Sequence, residues 1–199
     1  MSTTDITPLT RTIDGVEVPV AGTYRLDAAH SHVGFSVRHL MVSKTKGRFS
    51  DVAGTIVVGE DLLDSSVEVE IAVPSIDTSD ETRDGHLRSP DFLDAGAFPI
   101  ITYRSTKVIS SGAGTWKLEG DLTVRGVTQS VPLSFSFEGG ARDPWGGARL
   151  GFTARTELDR EAFGLTWNQA LETGGVLVGK QVRIDIDAEA EADAEAVQQ

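Results

Sequence analysis

From Val33 onward the chain alternates. Val33, Phe35 and Val37 are apolar, while Gly34, Ser36 and Arg38 between them are small or polar. A period of two marks a strand with one apolar and one polar face. The pattern returns in Val67, Val69, Ile71 and Val73, with Glu68 and Glu70 facing the other way. It returns again in Trp116, Leu118, Gly120, Leu122 and Val124, and in Leu133, Phe135 and Phe137. Phe152, Ala154, Thr156 and Leu158 make a further face, and Val182, Ile184 and Ile186 another within a strand over 179–188. Tyr24 and Leu26 share a face at the start of the main body. Residues 44–58 predict one long strand bent at Gly47 or Gly54, and residues 100–109 another. Roughly eight amphipathic strands without a βαβ rhythm predict an all-β sandwich or barrel.

Other local signals punctuate this series. Asp14-Gly15 between alternating valines predicts a small hairpin or edge strand near the N-terminus, with Pro19 keeping it at an edge. Thr78, Ser79 and Asp80 supply caps, Glu81 follows, and Pro90 closes the segment, so a short helix is expected there. Residues 160–164 read as one helical turn. Residues 1–10 read as a disordered lead. The Ala/Glu-rich stretch over 190–199 reads as an acidic tail too short to hold a helix alone.

Composition removes several function classes. The chain has 199 residues, no cysteine and a net charge of -12. It has neither a disulfide framework nor a thiolate to bind metal or attack a substrate. A field of that sign disfavours nucleic acid and repels anionic membrane surfaces. Met1 to Leu9 shows no basic region followed by an apolar run, and no stretch approaches a membrane span. The expected location is cytoplasmic.

Candidate chemistry gathers in few places. His30 and His32 are two apart, so an extended segment puts them on one face, and His39 or His86 would complete three metal ligands. Against this, histidines at strand ends commonly hydrogen-bond to the turn. The metal reading is the weaker, so no metal, no cofactor and no catalytic residue are expected. Arg83-Asp84-x-His86 reads either as a cluster meeting a phosphate or carbonyl, or as a cap pinning helix to sheet. Arg38, Lys44, Lys46 and Arg48 are either a solvated strand face or an attraction for an anionic head group. Gly174 to Lys180 nearly spells a phosphate loop but lacks the final Ser or Thr and any βαβ context.

An ordered series of motifs carries a resemblance. Tyr24-x-Leu26-Asp27-x-x-His30-Ser31, Phe35-x-Val37-x-His39 and Gly47-x-Phe49 come first. Ile76-x-Thr78, then Arg83-Asp84-x-His86-Leu87-x-Ser89-x-Asp91-Phe92 and Phe98-Pro99 follow. Gly120 to Gly126-Val127-Thr128 and Arg160-x-x-Phe163-Gly164 complete it. From about Gly22 to Glu189 the chain resembles the YceI-like, lipocalin-like polyisoprenoid-binding family. The resemblance implies an elongated, eight-stranded antiparallel β-barrel with a short helix packed on it, over 21–189. Residues 1–20 would be an extension, disordered or a small hairpin, and 190–199 a tail.

The resemblance also implies a long apolar tunnel holding an isoprenoid lipid, a polyprenyl phosphate or a quinone, in a carrier or store that is not an enzyme. Alternation alone leaves open whether the inward side chains fill the barrel or line a hole. With a tunnel, the expected lining is Val33, Phe35, Val37, Phe49, Val67, Val69, Ile71, Leu87, Phe92, Tyr103, Leu133 and Phe135. The expected head-group contacts are His30, Arg38, His39, Arg83 and His86. The expected partners are the lipid and a second copy in a homodimer, with no nucleic acid and no integral membrane segment. The rival readings are a metal-dependent enzyme built on His30 and His32, and a stress-related scaffold barrel without ligand.

Overall fold

The computed structural model describes residues 8–193 apart from 113 and 173. The ends of the expected lead and tail lie outside the described residues. The described residues form fourteen strands and one α-helix, with single 3-10 turns between some of them. They are β1 (Thr10–Ile13), β2 (Val16–Pro19), β3 (Gly22–Leu26), β4 (His32–His39), β5 (Ser43–Phe49), β6 (Val52–Val58) and β7 (Ser66–Ala72). After β8 (Ile76–Asp77) comes α1 (Glu81–Arg88), then β9 (Ile100–Ser110), β10 (Thr115–Val124) and β11 (Val127–Ser130). β12 (Leu133–Arg142), β13 (Ala148–Asp159) and β14 (Val178–Ala192) complete the chain.

Several of these are halves of longer strands. β3 and β4 both pair with β14, Leu26 opposite Ala190 and Val33 opposite Ile186. A single turn at Ala28–His30, capped by the Asp27 carboxylate, separates them. β5 and β6 likewise pair with β4 and β3. Their break falls between Phe49 and Val52, and not at Gly47 or Gly54. Gly47 serves packing instead: a Cβ there would lie 2.4 Å from the Phe35 ring. Pairing then runs through β7, β9, β10, β12 and β13. The sheet closes where β13 pairs with β14, from Arg149–Glu191 to Asp159–Gln181. The result is a closed, eight-stranded antiparallel barrel with one short helix, as the alternation and the resemblance predict.

Antiparallel pairing sorts the turns into two ends. At one end lie the β6–β7, β9–β10 and β12–β13 turns, and the β1–β2 hairpin closes over them. Its turn places Asp14 at φ 51° and Gly15 at φ 80°, the positive values that a two-residue hairpin turn requires. Arg11 donates to the carbonyls of Gly59 and Glu60. Val18 is 1% exposed and packs with Val108, Trp116 and Leu118. At the other end lie α1, the β4–β5 turn and the described residues between 165 and 177. Asp80 is the helix cap, accepting from the Arg83 N–H. Leu87 and Phe163 pack there with Ile76, Leu93 and Ile101.

The last strand runs three residues into the stretch that reads as tail. Ala190, Glu191 and Ala192 pair with Leu26, Arg25 and Tyr24, and Ala190 is fully buried. Ala188, Ala190 and Ala192 continue the inward row, and small side chains there leave room for Tyr24 and Leu150. Cutting the chain after Glu189 is therefore expected to destabilise it, on the order of 2 kcal/mol from lost ladder bonds alone. Cutting after Asp193 should leave the melting temperature within error. Equal melting temperatures for the two truncations would show that the end of β14 adds nothing.

Candidate functional site

The inward rows do not meet across the barrel. They enclose a cavity of about 350 Å3 that extends from Val18 and Trp116 at the hairpin end to Leu87, Leu165 and Val178 at the helix end. Val33, Phe35, Val37, Phe49, Val67, Val69, Ile71, Leu87, Phe92, Tyr103, Leu133 and Phe135 all line it. The pleat brings them together: residues i, i+2 and i+4 of each strand face one side, and closure makes that side the inside. Val52, Ile56, Leu122, Phe137 and Phe152 join the same wall.

The polar exceptions are few. Tyr103 lines the wall, but its hydroxyl donates to the backbone carbonyls of Leu118 or Val131, each at 3.2 Å. Burial pushes its pKa above the ordinary phenol value, so it stays neutral. Ser31 bonds the backbone of Glu189, and Ser65 accepts from the Gly59 N–H. None of these three hydroxyls is paired with a histidine or carboxylate among the described residues.

Among the described residues one charged side chain lines the cavity, and sequence reasoning missed it. Arg160 is 3% exposed. It opens the turn Arg160–Phe163, which Gly164 terminates at φ 78°. Its Nε donates to Gly179 O at 2.9 Å, and its Nη1 to the carbonyls of Leu165 and Trp167. Its Nη2 is buried with no hydrogen-bond partner. Burial lowers its pKa, opposed by Glu161 and Asp159, yet no carboxylate bonds to it. Those flanking acids suggest an ordinary surface pair in the sequence, and only the fold reveals that Glu161 pairs with Lys180 instead.

The head-group candidates are dispersed, and none lines the cavity. Arg83 donates from Nε to the Thr78 hydroxyl and from Nη2 to the Thr78 carbonyl, which ties it to its own helix start. His86 bonds Asp91 and packs edge-on against Phe92 and Trp167 at the helix end. Arg38 and His39 lie at the far end of β4, Arg38 opposite Lys44 and His39 opposite Ser43.

His30 belongs to the outer wall. Asp27, His30 and Glu189 are the one group among the described residues close enough to share a cation, and His32 is not part of it. A guanidinium already stands among them. Arg149 bonds Asp27, Glu189 and Glu191 through Nη1 and Asp143 through Nε. The His30 bond, followed by Arg149 and Ala29, holds the Asp27 carboxyl well below the usual range. Asp27 in turn raises the pKa of His30 above 6.5. A raised folded value means that the contribution is complete below the unfolded pKa and is lost as pH rises through the folded one. Between pH 6 and pH 8.5 the wild-type melting temperature should therefore fall more than that of His30→Gln. Parallel pH profiles for the two proteins would remove His30 from the linkage.

Comparison with known proteins follows the same outline. The YceI-like domain model matches residues 24–190. The chain belongs to the YceI-like family. A UPF0312 protein of Vibrio parahaemolyticus is 40% identical over 146 residues, covering 72% of this chain and 77% of its own. Among solved structures, BcnA of Burkholderia cenocepacia superposes with a TM-score of 0.71 at 22% identity, over 82% of this chain and 98% of its own. A polyisoprenoid binding domain from Saccharophagus degradans does so at 0.65 and 15%, over 85% of this chain and 98% of its own. At those identities the two structures establish the fold. The hairpin β1–β2 lies outside the span that the YceI-like model matches.

Proposed function

We propose that this protein holds the chain of an isoprenoid lipid, a polyprenyl phosphate or an isoprenoid quinone, inside its barrel, as a carrier or store. The observation that carries this reading is the cavity. Its volume of about 350 Å3 falls among ordinary ligand pockets, which run from about 300 to 1,000 Å3. An apolar cavity of about 150 Å3 already stays dry and takes up benzene. Cavities left by core truncations cost about 24 cal/mol per Å3, so an empty space of this size corresponds to about 8 kcal/mol as an upper bound. That is comparable to the whole stability of a typical domain, about 5–15 kcal/mol. A lipid chain relieves that cost and gains about 0.8 kcal/mol per buried methylene. The neighbour from Saccharophagus degradans is itself described as a polyisoprenoid binding domain.

The same reading orients the ligand. The hairpin end of the cavity is apolar, and Arg160 lies toward the helix end. A buried guanidinium without a carboxylate is expensive to maintain. An oxygen of the lipid head group beside Arg160 would supply the missing acceptor. The five polar residues first read as head-group contacts then serve only a head that projects beyond the wall.

The test is mass spectrometry of organic extracts from natively purified protein, with binding isotherms for a polyprenyl phosphate and a quinone. A prenyl lipid near one per protein is expected. An empty extract together with flat isotherms would leave the barrel a scaffold. Turnover of an extracted lipid on incubation would instead make the protein an enzyme.

A further inference from the structure

The turn between β4 and β5 is built against local preference. Leu40 and Met41 occupy its centre at φ 52° and 62°. Two-residue turns with both centres at positive φ favour Asn-Gly or Asp-Gly, as Asp14-Gly15 and Arg125-Gly126 partly illustrate here. Bulky side chains in that conformation are strained, and such strain concentrates at functional sites. The strain is not repaid by burial. Leu40 is 40% exposed, Met41 56% and Val42 81%, with Val176 beside them at 36%. The Leu40 N–H bonds the Leu177 carbonyl, which fixes the tip to the 165–178 segment at the helix end of the cavity.

The flanking rungs are basic. Arg38 lies opposite Lys44, and Ser36 opposite Lys46. Arg38, Lys44 and Lys46 are exposed and form no ion pair among the described residues. Cations on the neighbouring strands are matched: Arg48 by Asp77, Lys180 by Glu161, Arg183 by Asp185. The acids nearest this surface include Glu172 in the neighbouring loop, Glu161 and Asp185, which pair with Lys180 and Arg183, and Asp159 and Glu157, which stand opposite Gln181 and Arg183.

We infer that the β4–β5 turn docks the helix end of the barrel onto an anionic lipid surface. Leu40, Met41 and Val42 would enter the interface between head groups and acyl chains. Arg38, Lys44 and Lys46 would lie on the phosphates, the pairing of apolar wedge and basic flank that peripheral anchors use. The net charge of -12 repels such a surface at a distance. Screening within about 8 Å at physiological salt leaves the contact to the local cations. The turn docks whatever the cavity holds, so this inference and the ligand reading fail separately.

Flotation of the full chain with vesicles tests it, using phosphatidylcholine alone or mixed with phosphatidylglycerol. Wild type should float with the mixed vesicles and not with phosphatidylcholine alone. Lys44→Glu with Lys46→Glu should weaken binding roughly thirtyfold or more. Met41→Asp with Val42→Asp should abolish it. These residues are exposed, so the melting temperature should hold in both variants. Leu40→Asn with Met41→Gly should raise the melting temperature while lowering binding, because it relieves the turn and removes the wedge. Absence of wild-type binding to mixed vesicles overturns the inference, as does binding indifferent to the aspartates. A dimer lost in the aspartate variant, without vesicle binding, assigns the tip to a second copy and overturns it as well.

Discussion

Val69→Trp is expected to leave the barrel folded and to empty it of lipid. Val69 lies on β7 between Gly54 and Tyr103 of the neighbouring strands, and its side chain lines the cavity. In a filled core an indole there would overpack and cost about 1–3 kcal/mol. In this barrel it enters open space and covers apolar wall that now faces the void. The melting temperature of the lipid-free protein should hold or rise. The bound chain would lose the space of about one isoprene unit. At about 0.8 kcal/mol per carbon, that is roughly 4 kcal/mol, or about a thousandfold in affinity. Lipid recovered per protein should fall to background or shift to a shorter chain. A destabilised variant, with no lipid in either protein, would mean that the barrel is packed shut and that the carrier reading is wrong.

Gly120→Ala is expected to be the most damaging small substitution in the wall. Gly120 sits where the pairing of β10 with β9 shifts register. The Tyr103 ring crosses directly over it: an added Cβ would lie 2.5 Å from Tyr103 Cζ and 2.6 Å from the Arg104 carbonyl. Neither clash is relieved cheaply: the carbonyl moves only with its strand, and the ring only by leaving its packed place. Moving it strains a packed wall and strands the buried hydroxyl, which together cost about 3 kcal/mol. For a domain of this size that corresponds to a loss of roughly 6–12 °C in melting temperature. Tyr103→Phe removes only the hydroxyl bond and should cost about 1 kcal/mol. In the double variant the two costs should not add, because both act through one side chain. Additive losses would show that the ring and the glycine are not coupled.

The rows of the wall were legible because a strand has only two faces. Val67, Val69 and Ile71 face inward, and Glu68 and Glu70 are exposed. Whether opposing rows touch was not legible, because alternation fixes direction and says nothing about the distance across the barrel. The end of β14 carried the signal in weak form. Alanines at 188, 190 and 192 alternate with glutamates, but alanine is too small to stand out from a polar tail. The helix at α1 followed from its caps, with Asp80 rather than Thr78 or Ser79 in the capping position. Arg160 could not be placed from its neighbours, since Asp159 and Glu161 suggest ordinary surface pairing. Its partners are carbonyls that only the closed fold brings to it. The two-residue spacing of His30 and His32 marks no shared site: His30 answers to Asp27 three residues earlier, and not to His32.

On the proposed reading, the N-terminal hairpin would turn the cavity into a measuring device. Val18 and Pro19 line the cavity at the end away from α1. A chain entering from the helix side would extend only until it met them, and the hairpin would then work as the stop of a ruler. Chains too long for the space must fold back or leave carbons outside. Shortening or removing residues 8–19 would then move the upper limit of accepted chain length while leaving the preference for apolar chains unchanged. Selectivity for size and selectivity for chemistry would reside at opposite ends of one barrel, in segments that can change independently of each other.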